Sequence, residues 1–450
     1  MYKIHYVLRM CTEIFHKMLK INDLRTFLRP FLGGRLGGFA VRGALPAAIC
    51  LAISACGGGD SRGDAGTAKS GSGWVCADSA VFSPMEYSRM LRMGKACGAD
   101  VAEIRSVVGR DTLVKRFVLL DSAGGAAGSA GAIPDGAWKG AIVLRVPVAR
   151  AVVLSSAQIG FMLRLGVEDR IVGVGAGAYI VDSALAASVT TGKVLQVGNG
   201  PEISLEKVVS LRPDLVMTFA TGGAYDDYDR LSTLEIPLML TSEWQEESPL
   251  AKFEWISLFA KLFGVEARAQ EIAAGYGEEL SRMAAKESDP MGACRENGPR
   301  VIAGMAYGGV WYAPGGRSYT ASLIRQAGGC YLWASDTTRE MKFSLEEIFA
   351  VADSADVWVN PGIYATPEDI LAAEPRLGRI RPFREKRVCQ NDARKSAGGG
   401  NDFFESAVSR PVELVRNLHE CVFGIKEGES GTISEDPPYK WYRNIYNFAL

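Results

Sequence analysis

Residues Tyr307 to Tyr319 read YGGVWYAPGGRSY, which sets Tyr307, Trp311, Tyr312 and Tyr319 around one guanidinium, Arg317, among glycines. The aromatic faces offer broad apolar contact to flat or polycyclic molecules, and Arg317 offers a two-pronged grip on a carboxylate or other anionic oxygen. The segment follows a strand expected at Val301–Met305, the position where α/β proteins gather ligand contacts. Trp244, Tyr179, Tyr225, Asn360, Tyr364, Asn391 and Arg394 fall at other expected strand ends or in the loops after them, and join the candidate binding set. For each ring singly, packing is the plainer alternative, as with Trp311 and Tyr312 against Trp333.

Other chemistries find little support. Of three histidines, His5 and His16 lie in a basic N-terminal segment, leaving His419. A bare transition-metal site or a histidine-dependent triad needs more than that, so no catalytic residue, metal site or cofactor is expected. Gly59-Asp60-Ser61-Arg62-Gly63 satisfies the GxSxG pattern of serine hydrolases, but it sits in a Gly/Ser-rich run with no strand before it. Gly173 to Ala178, GVGAGA, fits a dinucleotide-binding loop after a strand, although Glu202 is the only acidic residue near twenty positions on. That loop keeps a rival reading open, a nucleotide-dependent oxidoreductase. A third is a scaffolding lipoprotein.

The elements that must position these residues alternate. Gln158–Leu165 reads as helix ending at Gly166, Arg170–Val174 as strand, Ser204–Leu211 as helix and Asp214–Phe219 as strand. Such alternation implies parallel sheets covered by helices. Val101–Val107 and Thr112–Leu119 around Gly109-Arg110-Asp111 read as a hairpin, followed by a small-residue loop at 122–132. Pro249 to Lys286 has helical periodicity interrupted only by Gly264, Gly275 and Gly277, a helical connector between two lobes. The second half restarts with a helix at Thr320–Gln326 ended by Gly328-Gly329, a helix at Ser344–Val351 and a strand at Asp356–Asn360. Ser204-Leu205-Glu206 before Pro213-Asp214 echoes Ser344-Leu345-Glu346 before Ala355-Asp356, offset by 140 residues at the serines and 142 at the aspartates. A serine N-cap with first-turn carboxylates stabilises a helix anywhere, and Ser344 and Glu347 have capping-box spacing.

The N-terminal 55 residues carry eight basic and two acidic groups, so the remainder holds 42 basic against 49 acidic ones. A mildly acidic globular part disfavours nucleic acid as a partner. Gly43 to Ala55 is an uncharged run of thirteen residues, shorter than the roughly 20 a bilayer span requires. With its basic lead and the end Ile53-Ser54-Ala55-Cys56 it resembles a lipoprotein signal whose Cys56 is acylated. The long lead makes Met18 an alternative start. Residues 1–55 are read as signal segment and 56–75 as a flexible tether. Cys76, Cys97, Cys294, Cys330, Cys389 and Cys421 remain, and their pairing is open among 15 connectivities.

Six stretches carry a resemblance: LGVEDRIVGVG (165–175), ISLEKVVSLRPDLV (203–216), SPLAKFEWISLFAKLFG (248–264), GGVWYAPGGRSYTASLIRQAGGCYLW (308–333), ADVWVNPG (355–362) and GGNDFFESAVSRPVELVRNL (399–418). They are similar to class III periplasmic substrate-binding proteins, which feed ABC importers of vitamin B12, haem and ferric siderophores. The resemblance implies two Rossmann-like α/β lobes with parallel sheets, at 100–248 and 298–424, joined by a long helical connector at 249–287. A C-terminal extension at 425–450 follows, and the ligand cleft lies between the lobes. It further implies a metal chelate or corrinoid as ligand, an ABC importer permease as partner, and Glu206 and Glu346 as its docking carboxylates. The expected ligand contacts are Tyr179, Trp244, Trp311, Tyr312, Arg317, Tyr319, Asn360, Tyr364 and Arg394, in a chain without enzymatic activity, held to the periplasmic side of a bacterial membrane by its lipid.

Overall fold

The computed structural model describes residues 81–447 apart from 84, 97, 123–137, 199–201, 224–225, 290, 335–336 and 426–439. All of them belong to one compact unit, Ser70–Leu450. Cys56, the signal segment, the tether, Tyr225, Cys76 and Cys97 lie outside the described residues.

The first sheet comprises β1 (Val81–Ser83), β2 (Leu91–Ala96), β3 (Ala99–Val108), β4 (Asp111–Asp121) and β5 (Ile142–Val146) in that order, antiparallel except for the β4–β5 pair. The hairpin expected at Gly109–Asp111 joins β3 to β4. Strands β1 and β2, which the sequence pattern does not announce, extend it. Their entry segment is fastened by two carboxylates. Glu254 accepts the backbone N–H groups of Glu86, Tyr87 and Ser88 at 2.8, 3.0 and 2.6 Å. Glu246 accepts the Ser88 hydroxyl at 2.5 Å and the N–H of Arg89 and Met90 at 3.1 and 3.2 Å.

The second sheet holds β6 (Ala151–Val153), β7 (Ile171–Val174), β8 (Leu195–Gln196), β9 (Leu215–Thr218) and β10 (Leu238–Leu240), all parallel, in the order β10-β9-β6-β7-β8. In the second half, β11 (Arg300–Ala303), β12 (Met305–Tyr307), β13 (Val310–Ala313), β14 (Cys330–Tyr331), β15 (Met341–Ser344), β16 (Val357–Val359), β17 (Val388–Gln390) and β18 (Arg443–Asn444) divide between two sheets. The larger, β14-β11-β16-β17-β18, is parallel save for β18, and the smaller, β12-β13-β15, is antiparallel. Strands β6, β9, β16 and β17 are buried at every position, and β6 and β16 are apolar throughout while β9 and β17 end in a buried Thr218 and Gln390. In both parallel sheets the chain enters at an interior strand and later crosses to its other side, creating a switch point at the carboxyl ends.

Helix ends follow the sequence signals. Ser155 and Gln158 form a capping box at Ser156–Leu165, and Gly166 closes that helix at φ 72°. Ser204 caps Leu205–Ser210, and Ser344 with Glu347 forms the capping box of Leu345–Ala352. The connector is helical but segmented into Pro249–Glu254, Ile256–Phe263, Glu266–Tyr276 and Glu278–Glu287. Gly264 and Gly277 take positive φ values of 70° and 52° and break it, whereas Gly275 stays within a helix. At the C-terminus, residues 440–447 return into the second half: β18 pairs with β17, and Trp441, Tyr442 and Ile445 are buried. Disulfides join Cys294 to Cys330 and Cys389 to Cys421.

Candidate functional site

The loops at the carboxyl ends of the two parallel sheets meet in two places. After β7, Ala178 and Tyr179 lie against Gly398 and Gly400 so closely that a β-carbon on either glycine would strike their backbone. Ser396 donates its hydroxyl to the Ala178 carbonyl at 2.7 Å. Glu405, 1% exposed, accepts the backbone N–H of Val181 at 2.9 Å and of Asp182 at 2.8 Å. Desolvation pushes its carboxyl up to about 7, with Asp402 and Asp182 adding repulsion and the two N–H donors opposing.

The second meeting follows β10. Arg317 reaches Glu247 at 3.4 Å, a partly exposed pair linking the loop before helix Tyr319–Gln326 to the segment before the connector. Lys252 holds its ammonium 3.6 Å from the centroid of the Tyr319 ring. Exposed rings stand at Tyr179, Phe219 and Trp244 in the first lobe, at 44, 40 and 41%, and at Tyr307 and Phe404 in the second, at 38 and 58%.

Several expected contacts stand elsewhere. Trp311 is wholly buried: it packs at a tilt against Trp358, with ring centroids 5.1 Å apart, and donates its indole N–H to the Ala303 carbonyl. The alternation along β13, with Trp311 and Ala313 inward and Val310 and Tyr312 less buried, commits it to the core. Tyr364 is likewise core, its hydroxyl spent on the Ala306 carbonyl at 3.0 Å. Tyr312 keeps an outward ring near Lys342, at 5.4 Å. Arg394 pairs with the buried Asp402 at 3.2 Å, which directs its guanidinium into its own loop. Asn360 ends β16 in a left-handed conformation, φ 53°, and donates its amide to the Tyr442 hydroxyl at 3.4 Å. Its Oδ1 is buried with no hydrogen-bond partner among the described residues.

Sequence reasoning missed Phe219, Phe404, Glu247, Lys252 and Glu405. Phe404 follows Phe403, which is buried, so no local signal distinguishes the two rings. Phe219 directly follows a fully buried strand, a position the strand-end rule selects.

Glu206 and Glu346 occupy matching first turns of capped helices, both exposed. Glu346 faces Arg376 at 3.4 Å. The glycine loop after β7 does not lead directly into a helix. It enters a three-residue turn, Gly177–Tyr179, and the next helix, Ser183–Thr190, is capped by the carboxylate of Asp182. Asp182 and Glu405 occupy backbone donors at the start of that helix, and the Gly177 N–H is taken by the Gln196 side chain. A hollow of about 650 Å³ lies along the connector, lined by Leu250, Phe253, Ala269 and Leu280 with Tyr87 and Met93, and it contains none of the residues at the two crossings. No group of three or more His, Cys, Asp or Glu side chains among the described residues is arranged to hold a metal ion.

Two parallel sheets joined by a helical connector, with their strand ends meeting at ring-bearing loops, define a two-lobed α/β protein. Residues 151–394, more than half of the 450, match the periplasmic binding protein family, and the chain belongs to that family. An uncharacterized lipoprotein of Methanocaldococcus jannaschii is 24% identical over 289 residues, 61% of this chain. The alignment spans 65% of that relative's length. Among solved structures, the chain is similar to a periplasmic heme-binding protein from Pseudomonas aeruginosa, at 18% identity, TM-score 0.46, and coverage of 63% of this chain and 95% of the other. It is also similar to the periplasmic vitamin B12-binding protein of Vibrio cholerae, at 13% identity, TM-score 0.43, and coverage of 62% and 97%.

Proposed function

We propose that this chain captures a metal chelate or corrinoid outside the cytoplasm and delivers it to an ABC importer permease. The reading rests chiefly on the exposed rings Tyr179, Phe219 and Trp244 in the loops after β7, β9 and β10, with Phe404 in the loop after β17 and Tyr307 at the β12–β13 hairpin. Such rings suit flat or polycyclic ligands, and polar groups nearby, Arg317 and Asn360, supply orientation. In this reading residues 1–55 are a signal, Cys56 carries the lipid, 56–75 form a tether, lobes at 100–248 and 298–424 flank a connector at 249–287, and Glu206 and Glu346 dock the permease. The protein performs binding and release, with no bond-making step.

Titration calorimetry of the soluble chain with haem, a ferric trihydroxamate, a ferric tricatecholate, cobalamin and free Fe³⁺ or Zn²⁺ tests it. One-to-one binding of a chelate or corrinoid, weakened at least tenfold by Trp244→Ala, is the expected result. Tight binding of a free ion alone, unaffected by Arg317→Ala, overturns the reading. Anchoring is checked separately: wild-type protein in membrane fractions is expected to carry acyl chains that Cys56→Ser lacks, each buried CH₂ contributing about 0.8 kcal/mol of membrane affinity.

A further inference from the structure

Lys252 belongs to no binding motif of the sequence, yet it stands where the two lobes meet. It lies on the first helix of the connector, Pro249–Glu254, and its ammonium rests over the ring of Tyr319 on the second lobe, 3.6 Å from the centroid. Among the described residues the ammonium has neither a hydrogen-bond acceptor nor an ion-pair partner, and that ring is its one polar contact. An ammonium carries three donors, and a π face satisfies its charge without accepting them.

The neighbouring carboxylates do not take it up. Glu243 is 1% exposed, and burial raises its pKa towards the neutral acid. Glu246 is engaged elsewhere, accepting from Ser88, Arg89, Met90 and the Trp255 indole. Burial pushes the phenols of Tyr319 and Tyr442 far above their usual range, so both remain neutral. Tyr442 in turn holds the amide of Asn360, whose Oδ1 is buried and has no partner among the described residues. At the rim, Arg317 is paired with Glu247.

We propose that Lys252 is an anion-binding residue of the interlobe site, taking a carboxylate or catecholate oxygen of the ligand beside Tyr319, so that the protein favours anionic chelates over neutral ones. This rests on the binding-protein reading and adds the charge class of the ligand to it. The charged or titratable groups facing Lys252 are Glu243 and Glu246 from the preceding segment and Tyr319 from the second lobe, with Tyr442 behind Tyr319; Arg317 and Glu247 pair nearby. Burial lowers the Lys252 ammonium to about 8, with Glu243 and Glu246 acting in the opposite direction. An anion bound to the protonated amine is therefore held below that value and released above it. Its affinity falls about tenfold between pH 7 and 9.

The test measures affinity for haem and a ferric tricatecholate, both anionic, and for a neutral ferric trihydroxamate and cobalamin. Wild type, Lys252→Met, Lys252→Arg and Trp244→Ala are compared at pH 7 and 9, with melting temperatures to confirm folding. At pH 7 an anionic probe is expected to bind most tightly and to lose at least tenfold in Lys252→Met. Lys252→Arg, which keeps its charge, is expected to hold its affinity nearly constant from pH 7 to 9. Equal anion binding by Lys252→Met, with loss in Trp244→Ala, overturns the role of Lys252 and leaves the binding reading standing. Tightest binding of a neutral probe overturns the charge selection alone. Failure of every probe to bind wild type overturns both.

Discussion

Trp311 and Trp244 share a residue type and differ in what their removal should do. Trp311 is enclosed by the second-half core, where its indole is hydrogen-bonded and its ring meets Trp358. Truncation there leaves a cavity and an unsatisfied carbonyl, so Trp311→Ala is expected to cost about 3–5 kcal/mol of stability. Trp244 is 41% exposed in a short turn, and its truncation should leave stability within about 0.5 kcal/mol. Denaturant unfolding of both variants, beside a ligand titration, separates the roles. A ligand-specific defect in a fully stable Trp311→Ala would return that residue to the binding set.

Among elements, the two disulfides brace the second half. Cys294–Cys330 ties the helix Gly292–Arg295 to β14, and Cys389–Cys421 ties β17 to the helix Pro411–Phe423. Sequence separations of 36 and 32 residues correspond to about 3–4 kcal/mol each in the chain-entropy account. Thermal melts of single Cys→Ser pairs are expected to show a drop for each, with ligand affinity of the folded fraction unchanged. A melting temperature unaffected by either pair would contradict this assignment. The helices bearing Glu206 and Glu346 pose a different question, because both carboxylates are exposed and the Glu346–Arg376 pair is solvated. The double Glu206→Lys, Glu346→Lys variant is expected to keep its ligand affinity and melting temperature while transport falls sharply. Normal transport at equal folded abundance would remove these residues from the docking surface.

For the whole molecule, the burial of Glu405 is expected to make folding stability pH-dependent. Its carboxyl titrates near 7 in the folded state because burial outweighs the N–H groups of Val181 and Asp182, whereas an unfolded glutamate titrates near the usual 4.5. Between those values the folded chain binds the extra proton, so this contribution to stability is present below about 4.5 and is lost as pH rises towards 7. The full loss is on the order of 3–4 kcal/mol, and Glu405→Gln should flatten this part of the profile. Melting curves from pH 4.5 to 8 check the sign: a wild type that gains stability relative to Glu405→Gln across that window would refute it. The segmented connector and the two lobe crossings also favour a largely preformed site, in which small closure on binding limits the ordering cost.

Much of the framework was legible in the amino-acid order alone, because it depends on neighbours in the chain. Apolar runs marked β9 and β16; Ser204 and Ser344 marked helix starts; Gly166 marked a helix end and Gly264 an interruption. The parallel sheets followed from the alternation of these elements. The orientation of rings was not legible, since whether Phe403 or Phe404 is covered, or whether Trp311 points inward, depends on which elements pack against them. The disulfide pairs were equally hidden, because six cysteines leave the partners to chain tracing in three dimensions. Lys252 meets Tyr319, and Glu405 meets Val181 and Asp182, across 67 residues in one case and more than 220 in the other. Contacts at such separation have no local propensity to announce them, and only tertiary packing brings those groups together.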